Sequence, residues 1–264
     1  MPLVIMVEKR NFRGLMGVSD DLVVIPWRFY RDNILRPPPR VGIKQWENIM
    51  AQLLTGLYLL YPSRSLLLEY IENLYQSHGF TGQSDQSCPN LRLLFEREIR
   101  GHKYKAVSHF ERYRENLESR VAGILRHCGE IFDCDYGIDL VRMLETNVVL
   151  EMDGLAREMK ELITTLLLTR IFMYRLATSE RTNRLKTIVM IDEGQDIFRR
   201  QSELQEAPSY LATLIAQARQ MECAICVGAQ QCRDLTFSLM SNTAFKIGTG
   251  FVDLRDLDEF CRIV

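Results

Sequence analysis

The sequence predicts an α/β fold, a parallel sheet flanked by helices and carrying a helical insertion, and three observations support it. Short, β-branched apolar runs recur at residues 3–7, 22–25, 148–152, 187–191, 223–227 and 244–247, each the length of a strand buried on both faces. In the last third these runs alternate with helical stretches at 155–176 and 203–221, the pattern of a doubly wound sheet. Between residues 63 and 134 the alternation gives way to helical patterning.

Taken in order, LVIMV at residue 3 opens the sheet, and the second run ends at Pro26, which cannot donate to a central ladder. Pro37, Pro38 and Pro39 then break regular structure. Residues 45–61 regain helical spacing at Trp46, Ile49, Met50, Leu53, Leu54 and Leu57. Residues 63–76 read as a second helix, and 78–90 as a polar connection. From 91 to 127 arginines and glutamates interleave on a helical pattern, as on a solvated, salt-bridged face, with a partner or DNA surface as the alternative. The expected organisation is therefore 1–62 as the N-terminal part of the core, 63–134 as the insertion and 135–264 as the C-terminal part. No internal repeat is present.

With 264 residues, 47% of them hydrophobic, the chain is long enough for one large α/β domain. A formal charge of -1 carries no footprint of a nucleic-acid coat and neither supports nor excludes DNA as a partner. The N-terminus MPLVIMVEKRNF lacks a secretory apolar core and a cleavage site. The most apolar stretches, 53–61 and 162–172, fall short of the roughly 20 residues of a membrane-spanning helix. Seven cysteines, an odd and scattered set, point to a reducing compartment and a cytoplasmic protein. Cys223 and Cys226 form a CxxC inside a strand, whose alternation sends them to opposite faces. His127, Cys128, Asp133, Cys134 and Asp135 are plausible ligand types, but no second cluster completes a four-ligand site.

The chemistry gathers at strand ends. The run Thr187-Ile-Val-Met-Ile191 is apolar almost throughout and delivers adjacent carboxylates, Asp192 and Glu193. A first carboxylate there can hold Mg²⁺, and a second can orient the water that attacks a γ-phosphate, the Walker B logic. The plain alternative is a capping pair at the strand-to-helix turn. The next strand, CAICVG, leads into Ala229, Gln230 and Gln231. Gln230 can contact a γ-phosphate or its attacking water because an amide both donates and accepts, although an ordinary loop glutamine would look the same. Arg219, at the end of the preceding helix, suits a neighbour's phosphate as an arginine finger, or complements the helix dipole.

These segments resemble the HerA/FtsK superfamily of hexameric P-loop ATPases, in the branch of HerA-like translocases and the ATPases of conjugation and type IV secretion. The resemblance runs through NVVLEMDGLAREMKELITTLLLTRIF (147–172), TIVMIDEGQDIF (187–198), LATLIAQARQMECAICVGAQQCRDL (211–235) and SNTAFKIGTGF (241–251). Earlier, PLVIMVEKRNFRGLM resembles the strand after the P-loop helix, with Glu8-Lys9-Arg10-Asn11 where the family has an Asp-Pro-Lys-Gly-like turn. Asn33, Pro37 to Pro39 and Trp46 match a segment in which an Asn-Pro-Leu-like stretch precedes a tryptophan-started helix.

The resemblance implies a RecA-like core, ATP and Mg²⁺ as cofactors, and a homo-hexamer that moves double-stranded DNA or a secretion substrate beside a nuclease or secretion components. It further implies roles for Asp192 on Mg²⁺, Glu193 on the attacking water, Gln230 on the γ-phosphate and Arg219 in trans. One departure is large: no GxxxxGK[ST] occurs in the 264 residues, so the phosphate cradle, its lysine and its Mg²⁺-binding hydroxyl are missing. The likeness at residue 3 to the strand after the P-loop helix implies a chain that starts downstream of that element, as a truncated product, a split protein or a degenerate ATPase would. Two other readings stand beside it. One is a superfamily 1 helicase fragment, because DEGQD matches its DExQD segment, with Ala229 where that class has an acid after the glycine. The other is a non-catalytic subunit that keeps the fold without the pocket.

Overall fold

The computed structural model describes residues 1–58, 63–101, 108–179, 184–198, 210–250 and 253–263. Five strands, β1 (Leu3–Val7), β2 (Leu22–Pro26), β3 (Asn147–Glu151), β4 (Thr187–Ile191) and β5 (Cys223–Val227), form one parallel sheet in the order β2-β3-β1-β4-β5. β1 is central because it is apolar on both faces. Ile5 and Val7 pack with Val149, Leu3, Phe12, Leu22, Val24 and Met190, while Val4 and Met6 on the other face are as fully buried. The edge strand β5 is only partly covered, as its mixed CAICV sequence leads one to expect.

The registers align the carboxyl ends. Val7 lies opposite Glu151, Met6 opposite Ile191, and Ile191 opposite Val227. Residues 8–9, 152–153, 192–193 and 228–230 therefore emerge along one edge of the sheet, and β3 and β4 flank β1 on opposite sides, the kind of switch point where such sheets bind ligands.

The chain divides into two compact units, one of residues 1–25, 144–165 and 179–264, the other of residues 26–143 and 166–178. The first holds the sheet, the start of α6 (Arg157–Thr178), and α7 (Tyr210–Gln217), α8 (Phe237–Asn242) and α9 (Leu254–Ile263). The second is helical, with α1 (Ile43–Tyr58), α2 (Ser63–His78), α3 (Leu91–Leu93) continuing as a π turn over Leu94–Ile99, α4 (Ser108–Phe132), bent at Cys128, and α5 (Leu140–Met143). Its charged residues form surface and half-buried ion pairs such as Arg100 with Glu118, 2.9 Å, and Arg114 with Glu118, 3.3 Å.

Within the helical unit the proline-rich stretch is tied to buried polar groups. The fully buried Asn33 donates its amide to the carbonyls of Cys88, Pro89 and Asp135 at 3.1–3.2 Å. Trp46 Nε1 donates to Ile34 O at 3.1 Å, and Arg170 stacks over the Trp46 ring at 5.0 Å while pairing with Asp32 at 2.9 Å. Gly137, at φ +74, is closed to a side chain, because a Cβ there would lie 2.8 Å from Asn33 N.

Two expectations change. The helical pattern of 91–127 is broken into α3, the π turn and α4, with residues 102–107 outside those described. The strand expected at 244–247 is not formed: residues 243–250 lack regular structure, and Phe245 and Ile247 are 87% and 89% exposed. The run is only four residues long, Lys246 Nζ turns back onto Thr243 O at 2.8 Å, and Gly250 takes φ +61, so local contacts win over a weak β propensity.

Candidate functional site

Glu193 is the hub of the carboxyl edge. Asp192 N still donates to the neighbouring strand at Met6 O (3.0 Å), and β4 ends because the chain then turns at Glu193, which lies in the left-handed region at φ 56, ψ 44. A non-glycine residue held there is strained, which requires that its surroundings determine it. Gly194 supplies the next constraint. Its N–H donates to Gly228 O at 2.7 Å, and a Cβ at this position would lie 2.1 Å from Val227 Cγ1, so the turn after β4 sits directly against the end of β5.

That approach brings Glu193 and Gln230 together. Gln230 Nε2 lies 2.8 Å from Glu193 Oε1 and 2.9 Å from Oε2. Gln195 Nε2 donates to Oε2, and Gln195 Oε1 accepts from Gln230 N at 3.3 Å, closing a triangle of two amides and one carboxylate. From the end of β1, Lys9 Nζ reaches Oε1 at 3.2 Å. Burial pushes the Glu193 carboxyl up, but the hydrogen bonds from Gln195, Lys9 and Gln230 and the Lys9 charge outweigh it and hold the group below the ordinary glutamate value.

Asp192 is half-buried, its Oδ1 accepts Glu193 N at 3.1 Å, and a Cβ on Gly228 would lie 3.4 Å from the same oxygen. Arg219 falls in the 3₁₀ turn Ala218–Met221, and its side chain lies outside the described residues. Glu193 and Gln230 are thus in contact, Asp192 is adjacent, and the fourth expected residue is placed by its backbone alone.

Further charged residues surround this hub. Arg10 grips Asp153 with two hydrogen bonds, 3.0 and 2.7 Å, and Arg13 grips the wholly buried Glu151, 2.7 and 2.6 Å. Arg157, in the first turn of α6, donates to Asp196 O (3.2 Å) and Gln195 O (3.1 Å) and pairs with Asp196 at 2.9 Å. Lys160 pairs with Glu8. Burial pushes Glu161 up to about 7, against the pull of Arg157 and with Glu158 adding to the rise. Sequence reasoning gave no role to Lys9, Gln195 or Arg157. All three did stand in quoted stretches, but Lys9 and Arg157 find their partners in the turn after β4, far along the chain, while Gln195 bonds Glu193 within its own turn and Gln230 beyond β5.

The residues present fit half of an ATP·Mg²⁺ site. A carboxylate held below its ordinary value beside an amide donor suits an attacking water, and Asp192 can offer one ligand to a hydrated Mg²⁺. Among the described residues no group of three or more His, Cys, Asp or Glu is placed to hold a metal by itself, and His127, Cys128, Asp133, Cys134 and Asp135 form none. Asp133 is instead paired with Arg92, and Asp135 accepts from Ser87 at 2.7 Å. No helix among the described residues is long and apolar enough to cross a membrane.

The fold is a RecA-like parallel sheet flanked by helices. Two solved structures share it: VirB4 of Thermoanaerobacter pseudethanolicus, TM-score 0.59 at 11% identity over 86% of this chain and 62% of that one, and the bacterial conjugative coupling protein TrwBΔN70 in its unbound monoclinic form, TM-score 0.50 at 12% identity over 91% and 63%. The chain therefore spans a little under two thirds of each. No protein-family model and no curated protein matches the sequence.

Proposed function

We propose that these residues form the hydrolytic half of an ATP-driven translocase of the HerA/FtsK kind, cytoplasmic and hexameric, acting on double-stranded DNA or a secretion substrate. The observation that carries this reading is the contact of Gln230 Nε2 with both oxygens of Glu193 at 2.8 and 2.9 Å, across the carboxyl ends of adjacent parallel strands. Glu193 orients the attacking water, Gln230 links that carboxylate to the γ-phosphate, Asp192 serves Mg²⁺, and Arg219 reaches a neighbouring subunit's nucleotide. When bound, Mg²⁺ neutralises phosphate charge. The phosphate cradle has to come from a segment other than these residues, since they contain no GxxxxGK[ST]. The likeness to a conjugative coupling protein favours the translocase reading over a superfamily 1 helicase.

The test joins a strand, phosphate loop and helix to the N-terminus. The extended chain is expected to turn over ATP, and Glu193→Gln to lose about 10²–10⁴-fold in turnover while still binding nucleotide. Unchanged turnover in Glu193→Gln removes Glu193 from the mechanism. A second reading, a non-catalytic subunit, draws on the missing cradle, and it prevails if the extended chain binds ATP without hydrolysing it. Calorimetry on the unextended chain checks the half-site directly, because tight Mg²⁺·ATP binding contradicts an incomplete pocket.

A further inference from the structure

The turn after β4 is held from two sides. From β5, Gly228 O accepts the Gly194 N–H at 2.7 Å. From the start of α6, Arg157 spans the rest of the turn: Nε donates to Asp196 O at 3.2 Å, Nη2 donates to Gln195 O at 3.1 Å, and Nη2 pairs with Asp196 Oδ1 at 2.9 Å. The Arg157 and Asp196 side chains are 35% and 29% exposed, so the clasp is partly shielded from water. The neighbouring cations are engaged elsewhere, Arg10 with Asp153, Arg13 with Glu151 and Lys160 with Glu8.

Arg157 stands where a helix disfavours it. It is the first residue of α6, whose N-cap, Ala156, makes no side-chain cap. A cation in the first turn opposes the helix dipole, and local helix chemistry would select Ser, Thr, Asp or Asn at the cap and an acid soon after it. A residue that breaks a local rule needs a gain elsewhere. The gain here is the clasp on two carbonyls and one carboxylate of a single turn.

What the clasp fixes is Gln195. The side chain of Gln195 donates to Glu193 Oε2 and accepts from Gln230 N at 3.3 Å, so its place sets the Glu193 carboxylate relative to the loop that carries Gln230. Glu193 itself is in the left-handed region at φ 56, a conformation that persists only where the surroundings over-determine it. We propose that Arg157 is a positioning residue for the hydrolytic pair: its guanidinium holds the backbone of residues 195–196, and through Gln195 it keeps Glu193 and Gln230 in register for the attacking water. A planar fork presents several donors at fixed angles, whereas a lysine brings one mobile point charge. This rests on the hydrolytic reading of Glu193 and Gln230 given above.

The experiment has two arms. In the 264-residue chain, water exchange of the Gln195 and Gln230 side-chain amides is followed by ¹⁵N NMR in wild type, Arg157→Met and Arg157→Lys. Freed from the clasp, both amides are expected to exchange about tenfold faster in Arg157→Met, while the backbone amides of β4 and β5 keep their protection. Unchanged side-chain exchange overturns the proposal. If Arg157→Met loses strand protection throughout, Arg157→Lys decides: fast amides over protected strands support the clasp, and wild-type exchange overturns it. In the chain bearing a phosphate loop, Arg157→Met is expected to lower kcat about tenfold to a hundredfold, with KM for Mg²⁺·ATP changed less than about twofold. Wild-type kcat, or a loss confined to KM, overturns the proposal as well. If Glu193→Gln leaves turnover intact while Arg157→Met still frees both amides, the hydrolytic reading fails and the clasp stands; if Glu193→Gln abolishes turnover and Arg157→Met moves neither readout, Arg157 fails alone.

Discussion

Replacing Gly194 by alanine tests whether the turn after β4 is held against β5 as tightly as described. The new methyl would lie 2.1 Å from Val227 Cγ1 and 3.2 Å from Gly228 O. Carbon atoms pack at about 3.5–4.0 Å, so the two elements must part by roughly 1.5 Å. Val227 cannot easily rotate away, because β-branching restricts its χ1. Such overpacking costs about 1–3 kcal/mol, while alanine recovers about 0.4–1 kcal/mol by restricting the unfolded chain. The clash wins, leaving a net loss of about 1–2 kcal/mol, which for a chain near this size lowers Tm by roughly 2–8 °C. Thermal melts of wild type, Gly194→Ala, Val227→Ala and the double variant form a cycle. Gly194→Ala should cost little once the valine methyls are gone, giving a coupling of about 1–3 kcal/mol. An unchanged Tm in Gly194→Ala, or an equal loss in the Val227→Ala background, refutes the close approach.

Arg170→Met strands the Asp32 carboxylate, 2% exposed, in the helical unit, and urea denaturation should show a loss of about 3–5 kcal/mol; a loss below about 1 kcal/mol would mean the pair is not buried as described. Glu161 gives a pH signature. Its folded value of about 7 stands above the 4.5 of an ordinary glutamate, so the native state binds the extra proton across that window. Stability from this group is present below pH 4.5 and lost as pH rises through 7. Glu161→Gln should flatten the pH dependence of Tm over that window and leave the variant more stable than wild type at pH 8; an unchanged slope would show that Glu161 is not desolvated.

The strands were legible because an apolar parallel strand leaves a mark that little else does: LVIMV, TIVMI and even the edge run CAICV have the bounds that their sequence predicts. The strand expected at 244–247 had the same kind of composition, but apolar residues cannot report whether an edge exists to receive them. At the hub, Glu193 and Gln230 were each readable as strand-end groups. The bond from Lys9 was not, because the partners are 184 residues apart and Lys9 is one of 33 lysines and arginines. The clasp of Arg13 on Glu151 was hidden for the same reason, 138 residues separating them. Asn33 and Trp46 stood out as residue types, whereas what they bind, backbone carbonyls, has no sequence signal.

The central position of β1 also has a consequence for biosynthesis. β1 is hydrogen-bonded to β3 and β4, and neither exists until more than 140 further residues have been added. At about 5–20 residues per second, LVIMV waits roughly 7–30 s with both edges bare, while the helical segment emerges behind it. An unpaired apolar strand is the species most prone to self-association. The interval between β1 and its partners is therefore where this protein has most need of a chaperone, and slowed translation through the helical segment should lower soluble yield without changing the stability of the finished fold.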